Sequence, residues 1–409
     1  MKRYRAIKLN PLIMTLAVIL SGCASQSIST QEAPAPTKHS TNANIIQATA
    51  SPTLTSLNKY FLPPYYSDSY SKTIQASKVE NGLVIYSSID DESWRPVIET
   101  FNEHYPWIQV STINLGANEV FDRYNSDAVS SERSADLIVT YTPDGWLTFA
   151  KSGQINPYIS EEDFFVPPWA KLAPGIYAIA SDPMVLIYNK DSISKPPQSM
   201  EDIAKLSIAK NGTNGLTLTT YDAAQNSTGL ALNWYWINQL GNSGWEILNK
   251  IGKTNPELNT SSSSMLSAIQ NGQAQIAYFV SPVAFLPQMD QQSNIGWSYL
   301  NDGQLILLRS AAITLSAASP NSAKLMVNFL LSQEGQLALA LGGLTPFRSD
   351  IANVDLFNPT DGVQKHIHFN QVMEAVGLNN LIFINLDPDI NNLDKRNLFI
   401  EKWNWAMGK

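Results

Sequence analysis

Polar side chains stand at several strand-to-helix junctions of this 409-residue sequence, where they can do chemistry. Ser87-Ser88 closes the apolar run "GLVIY", and Asn226-Ser227-Thr228 precedes "GLALNWYWI". Such residues at a helix start leave backbone N–H groups and the positive dipole end facing outward, which suits a phosphate or carboxylate. The same residue types also cap helices with no ligand involved. Asp90, nearest the first strand end, is a further binding candidate, whereas Asp91 and Glu92 read as ordinary first-turn stabilisers. Tyr141 with Thr142, and Tyr221, follow other strand-like runs and offer phenol rings to a sugar or ring face. Trp234 and Trp236 lie inside a helical stretch and read as packing residues. His366 and His368 alternate on one face of an extended chain, but no third ligand stands near them, so no metal site and no cofactor are expected.

Catalytic signatures are missing: there is no HExxH, no GxSxG and no GxxxxGK[ST]. SxxK recurs, as at Ser69, Ser192 and Ser207, without a companion KTG. The single cysteine, Cys23, cannot form an internal disulfide. It follows basic residues (Lys2, Arg3, Arg5, Lys8) and the apolar run Leu12 to Leu20, which is about half the ~20 residues a membrane span needs. "LSGC" resembles the bacterial lipobox, which implies a signal peptide over 1–22, lipidation of Cys23 and a lipoprotein held in the cell envelope facing the periplasm. Ala24, where an Asp would retain the protein at the inner membrane by enterobacterial rules, leaves the outer membrane open as well.

Residues 23–77 are rich in Ser, Thr, Ala, Pro, Gln and Asn and cannot bury enough apolar surface to offset their ordering entropy, so a flexible tether is expected. Near its end "YFLPPYYSDSY" either docks on the folded body or forms an extended spacer. The remainder is long enough for two lobes. A net charge of −8 and no basic run in the mature part argue against nucleic acid as a partner.

The elements that hold these residues alternate between strand and helix. "GLVIYSS" reads as a strand, "DDESWRPVIETFNEHYP" as an amphipathic helix, and "WIQVSTINL" as a parallel second strand. Leu137–Thr140 reads as a buried strand before a helix near Trp146, and "YAIASDPMVLIYNKDSI" as a long β-rich segment. Later come a strand, loop and helix over 215–241, a helix and strand over 265–285, and the return strand "QLILLRSAAITL". Residues 321–343 form one amphipathic helix with Asn321 as its cap.

Taken in order, "VIYSSIDDE", "FNEHYPWIQV", "ADLIV" with "AKSGQINPY", "DAAQNSTG", "IQNGQAQIAY" and "LTPFRSD" resemble phrases of the periplasmic substrate-binding proteins of ABC transporters, in the group around ferric-ion and phosphate-ester binders. The resemblance implies a type 2 two-lobed α/β fold, each lobe a mixed sheet flanked by helices. Lobe 1 would span 78–180 and 306–409, lobe 2 would span 181–305, and the ligand would lie between them. It further implies a monomer that serves an ABC permease and binds a small solute without enzymatic turnover. Tyr278 stands where ferric binders place adjacent tyrosines, but Phe279 replaces the second, so an anionic solute or metal chelate is expected rather than bare ferric ion. Arg348 either reaches the cleft mouth to pair a carboxylate or forms an ion pair with Asp350. The alternatives are an orphan lipoprotein acting as envelope sensor or scaffold, and a glycoside hydrolase-like enzyme.

Overall fold

Strands of three to ten residues, most of them apolar, form two sheets, and the helices between them cover the faces. The computed structural model describes residues 62–130, 133–209, 215–286, 294–354, 356–358, 362–364 and 366–409; Cys23 and the signal-like segment lie outside these. In chain order the first elements are α1 (Tyr70–Ser77), β1 (Leu83–Ser87), α2 (Asp91–His104), β2 (Val110–Asn114), α3 (Glu119–Ser130), β3 (Leu137–Thr140), α4 (Pro143–Lys151), β4 (Lys171–Ala173) and β5 (Ile176–Pro183). A second group follows: β6 (Val185–Asn189), α5 (Met200–Ala209), β7 (Leu218–Tyr221), α6 (Ser227–Leu240), α7 (Asn242–Gly252), β8 (Glu257–Asn259), α8 (Ser262–Gln270), β9 (Ile276–Val280) and β10 (Ile295–Ser298). The chain then returns through β11 (Gln304–Ile313), α9 (Pro320–Leu331), α10 (Gln333–Leu341), the ribbon β12 (Leu356–Asn358) and β13 (Gly362–Gln364), α11 (Phe369–Val376), β14 (Leu381–Ile384) and α12 (Leu393–Ala406).

The first lobe's sheet has the order β2-β1-β3-β11-β5-β4, with β14 also pairing β11. The β1 to β3 pairs are parallel, as βαβ crossovers require, whereas β11 runs antiparallel to β3 and β5. Successive side chains of β1 and β3 alternate between two cores. Leu83, Ile85, Leu137 and Val139 face one side, and Tyr86 and Ile138 the other. The second lobe's sheet has the order β10-β6-β9-β7-β8 over its own core. The C-terminal ends of β3 and β7 come together between the lobes, where Tyr141 packs on the second lobe's core near Tyr221, as the α/β rule for clefts leads one to expect.

Four sequence expectations change. The end of the expected tether is built into the body: Tyr70 and Ile74 of α1 are buried in the first core. Tyr65, Tyr66 and Tyr70 give residues 62–77 the aromatic surface to dock, the first of the two readings that "YFLPPYYSDSY" allows. The expected single helix over 321–343 is two helices, starting from Ser319 rather than Asn321. Ser332 is extended and its hydroxyl accepts from the Gly335 N–H, capping α10. A Cβ at Gly335 would lie 1.7 Å from the Phe329 carbonyl oxygen, so only glycine allows this tight turn.

The C-terminal helix was assigned to lobe 1 within 306–409, but α12 packs on the second lobe. Phe399, Trp403, Ala406 and Met407 belong to that lobe's core, against α7. Gly252 makes the approach possible, because a Cβ there would meet the Ala406 carbonyl oxygen at 2.0 Å. The boundary at 180/181 also shifts by a few residues, since β5 stays in the first sheet through Pro183. The lobes are therefore joined by three stretches: Met184, the link from Tyr299 to Gly303, and the segment from Asn385 to Asn392.

Candidate functional site

The central strand β11 reads Gln-Leu-Ile-Leu-Leu-Arg-Ser-Ala-Ala-Ile, and every residue in it is buried. A charge in the middle of such a strand is costly unless it is paired. Arg309 is paired: its Nε–H donates to Oδ2 of the fully buried Asp182 on β5, at 2.6 Å. The register between β11 and β5 slips between Arg309 and Ser310, a bulge that re-aims the side chains on either side of it. Tyr141, just past the end of β3, covers the guanidinium at 5.0 Å. Tyr141 is itself packed against the core of the other lobe.

From the second lobe, Tyr221 at the end of β7 is buried, and its hydroxyl shares a hydrogen bond of 2.9 Å with Ser262. The Ser262 Oγ also accepts from the N–H of Ser281, which follows β9. The Tyr221 phenol is pushed up to about 12, first by burial and then by the nearby Tyr141, while Arg309 pulls it the other way. Burial works against the Arg309 charge, but Asp182, Tyr141 and Tyr221 together hold it above the ordinary guanidinium value. Groups from both lobes thus meet at one polar point in an apolar interior.

The residues chosen from sequence fall into three groups. Tyr141 lies at this point. Ser88 lies at the end of β1 with a buried hydroxyl that has no partner, and Ser281 has the same property at the end of β9. Thr142 is buried and reaches the Ala117 carbonyl at 3.4 Å. Ser87, Asp90 and Asn226 are occupied by local structure. The Ser87 hydroxyl accepts from the Ile89 N–H and the Trp94 indole, Asp90 caps α2 through the Ser93 N–H, and Asn226 caps α6 through the Gly229 N–H. Ser227 and Thr228 begin α6 behind a loop in which Asp222 already accepts from the N–H groups of Ala224 and Gln225. Asp222 thus fills amides just ahead of the helix, and Asn226 fills that of Gly229.

Tyr278 is fully buried among apolar groups with an unpartnered hydroxyl, and burial holds its proton well above the usual phenol range. A phenol that resists ionisation is a poor metal donor. Arg348 does not reach the cleft. It is clamped by Glu162 at 2.5 Å and Asp350 at 2.6 Å, lies over the Phe165 ring, and donates to the Leu331 carbonyl. Of its two readings, the ion pair with Asp350 is the one the structure shows.

His368 is also structural. Its Nδ1 accepts from the Asn370 N–H and its Nε2 donates to the Arg348 carbonyl, so the ring is held neutral, and burial lowers its pKa. The unfolded chain binds a proton that the folded chain refuses, so this contribution to stability is complete above the ordinary histidine pKa of about 6.5 and is lost as pH falls below it. Urea midpoints measured from pH 7.5 to 5 should drop in the wild type and drop less in His368→Gln. Equal slopes would remove His368 as the cause.

Arg309 was missed in the sequence, although one signal was there: a lone charge inside "QLILLRSAAITL" demands a buried partner. A groove of about 1100 Å³ lies apart from this point, lined among others by Asn118, Asp144, Thr148, Asn391 and Arg396. Asn391 donates to the Asp144 carbonyl, and Arg396 sits 3.8 Å from the Asp144 carboxylate. It is the seam where the third connecting segment packs on α4.

Among known proteins, the family model described as bacterial extracellular solute-binding protein matches residues 87–337. A solved substrate-binding protein of an ABC transporter from Agrobacterium tumefaciens is 20% identical, covers 82% of this chain and 96% of its own, and superposes with a TM-score of 0.65. AfuA from Actinobacillus pleuropneumoniae, a periplasmic binding protein with exogenous fructose-6-phosphate bound, is 18% identical over 80% of this chain and 98% of its own, with a TM-score of 0.61. Iron-bound HitA from Pseudomonas aeruginosa is 19% identical over 66% of this chain and 87% of its own, with a TM-score of 0.55. No curated protein sequence matches the chain. At these identities the structures show a shared two-lobed α/β fold.

Proposed function

Because the chain belongs to the bacterial extracellular solute-binding protein family, we propose that it captures a small anionic or metal-chelate solute between its lobes and hands it to an ABC importer, as a lipoprotein held by Cys23. The family binds solutes and delivers them, so selectivity and release are what the fold must supply. The observation that supports the cleft as the site is the meeting of Arg309 and Tyr141 of one lobe with Tyr221 and Ser262 of the other. Lobes hinged on three short connections can part there, admit a solute and close. An open polar cluster would be wet; a closed one strengthens each interaction with the solute by excluding water.

Bare ferric ion is a poor fit, because Tyr278 is sealed in the core and Phe279 stands beside it. HitA is iron-bound and AfuA carries a sugar phosphate, so neighbours of the same fold hold both kinds of cargo. Native mass spectrometry with elemental analysis on the detergent-extracted full chain should find one organic species per chain and no stoichiometric iron. Iron at one per chain, lost in Tyr278→Phe, would overturn the preference.

No helix among the described residues is long and apolar enough to cross a membrane; the lipobox-like "LSGC" supports attachment through lipidation of Cys23. Cys23→Ala should move the protein from the detergent phase to the aqueous phase in Triton X-114 partitioning. A protein that stays with detergent owes its attachment to something else.

A further inference from the structure

Arg309 has one bonding edge left. Its Nε is taken by Asp182, whose other oxygen accepts from the Thr345 N–H at 3.3 Å, and one ring face is covered by Tyr141. Among the described residues, neither Nη atom donates a hydrogen bond, and neither is counted among the sealed, unpartnered polar atoms, so both keep access to solvent although the residue is only 7% exposed. A guanidinium held along its Nε edge and on one face, with a parallel pair of Nη–H groups left over, is a fork for a planar oxyanion. Ser281 adds an independent sign: its hydroxyl is buried, has no partner and ends a strand of the opposite lobe. A buried donor without an acceptor costs stability unless something supplies one.

Charge narrows the class. Asp182 already cancels the Arg309 charge, so the pair presents directed N–H groups without net positive charge. A monoanion brings one charge into such a site, whereas a dianion brings two, and since the desolvation cost grows with the square of the charge its cost is several times larger.

We propose that Arg309 is the specificity-determining residue of the cleft and that the solute is received through a singly charged carboxylate bound end-on by its two Nη groups, with Tyr141 stacked over the guanidinium. This rests on the solute-binding reading above and deepens it.

The test titrates the detergent-extracted full chain with benzoate and lactate as monocarboxylates, with benzamide as an uncharged counterpart, and with inorganic phosphate, following tryptophan fluorescence and the melting temperature. Saturable binding of a carboxylate and none of benzamide is expected. Arg309→Lys keeps the ion pair but loses the fork, and should weaken carboxylate binding on the order of 100-fold. Since Arg309→Gln alone would strand a buried carboxylate, the charge-free control is Arg309→Gln with Asp182→Asn, which should fold and bind none of these probes.

Absence of saturation by either carboxylate in the wild type overturns the proposal. So does binding that Arg309→Lys leaves unchanged, or stronger saturation by phosphate than by the carboxylates. Native mass spectrometry separates the two readings. A small molecule retained by both the wild type and the charge-free control means that the cleft works without Arg309. Nothing retained by any form, together with no saturation, removes the solute-binding reading too.

Discussion

Arg348→Ala should lower the folding free energy by about 3–5 kcal/mol, because it leaves the fully buried Glu162 carboxylate without its cation. Glu162 also accepts from Tyr65 and Tyr66, so the substitution disturbs the docking of residues 62–66 as well. Urea unfolding of the purified protein measures the loss. Affinity for whatever solute co-purifies should stay within about threefold, a fraction of the 1.4 kcal/mol that a tenfold change represents. A stable variant with lost affinity would return Arg348 to the cleft mouth. Arg309 differs: both are buried arginines paired with a carboxylate, but Arg348 is surrounded by partners and Arg309 has both Nη groups to spare.

Trp403→Ala should cost about 3–5 kcal/mol as well, the range for deleting a fully buried indole. Its N–H has no partner in the structure, so the indole already carries an uncompensated desolvation cost and the loss should fall toward the lower end. Hydrogen exchange locates the damage. If α12 belongs to the second lobe, β6, β7 and β9 lose protection, and the β1 to β3 region keeps it. Loss of protection confined to the first sheet would put α12 back where the sequence order suggests.

The α/β alternation was legible because each strand is a short apolar run and each helix carries an apolar stripe; Trp94, Val97 and Phe101 of α2 are all buried as that stripe requires. The partner of a stripe is not legible. Phe399, Trp403 and Met407 announce a packed face on α12, but a stripe looks the same whichever lobe it covers. Tyr141 was found because it follows a strand. Asn226, which follows the same rule, caps α6, since capping and anion binding ask for the same residues at the same place, while the Ser87 hydroxyl is taken by the Ile89 N–H and the Trp94 indole. Arg348 was favoured for its phrase, and its real partner, Glu162, lies 186 residues away in the chain. Arg309 was overlooked because the strand around it was read for its hydrophobicity.

The docking of residues 62–77 has a mechanical consequence. Tyr66 grips Glu162 and the Tyr70 hydroxyl bonds that of Tyr105, both within the first lobe. A pull arriving at residue 62 from the N-terminal side would therefore load these first-lobe bonds before it reached Met184 or the other two connections.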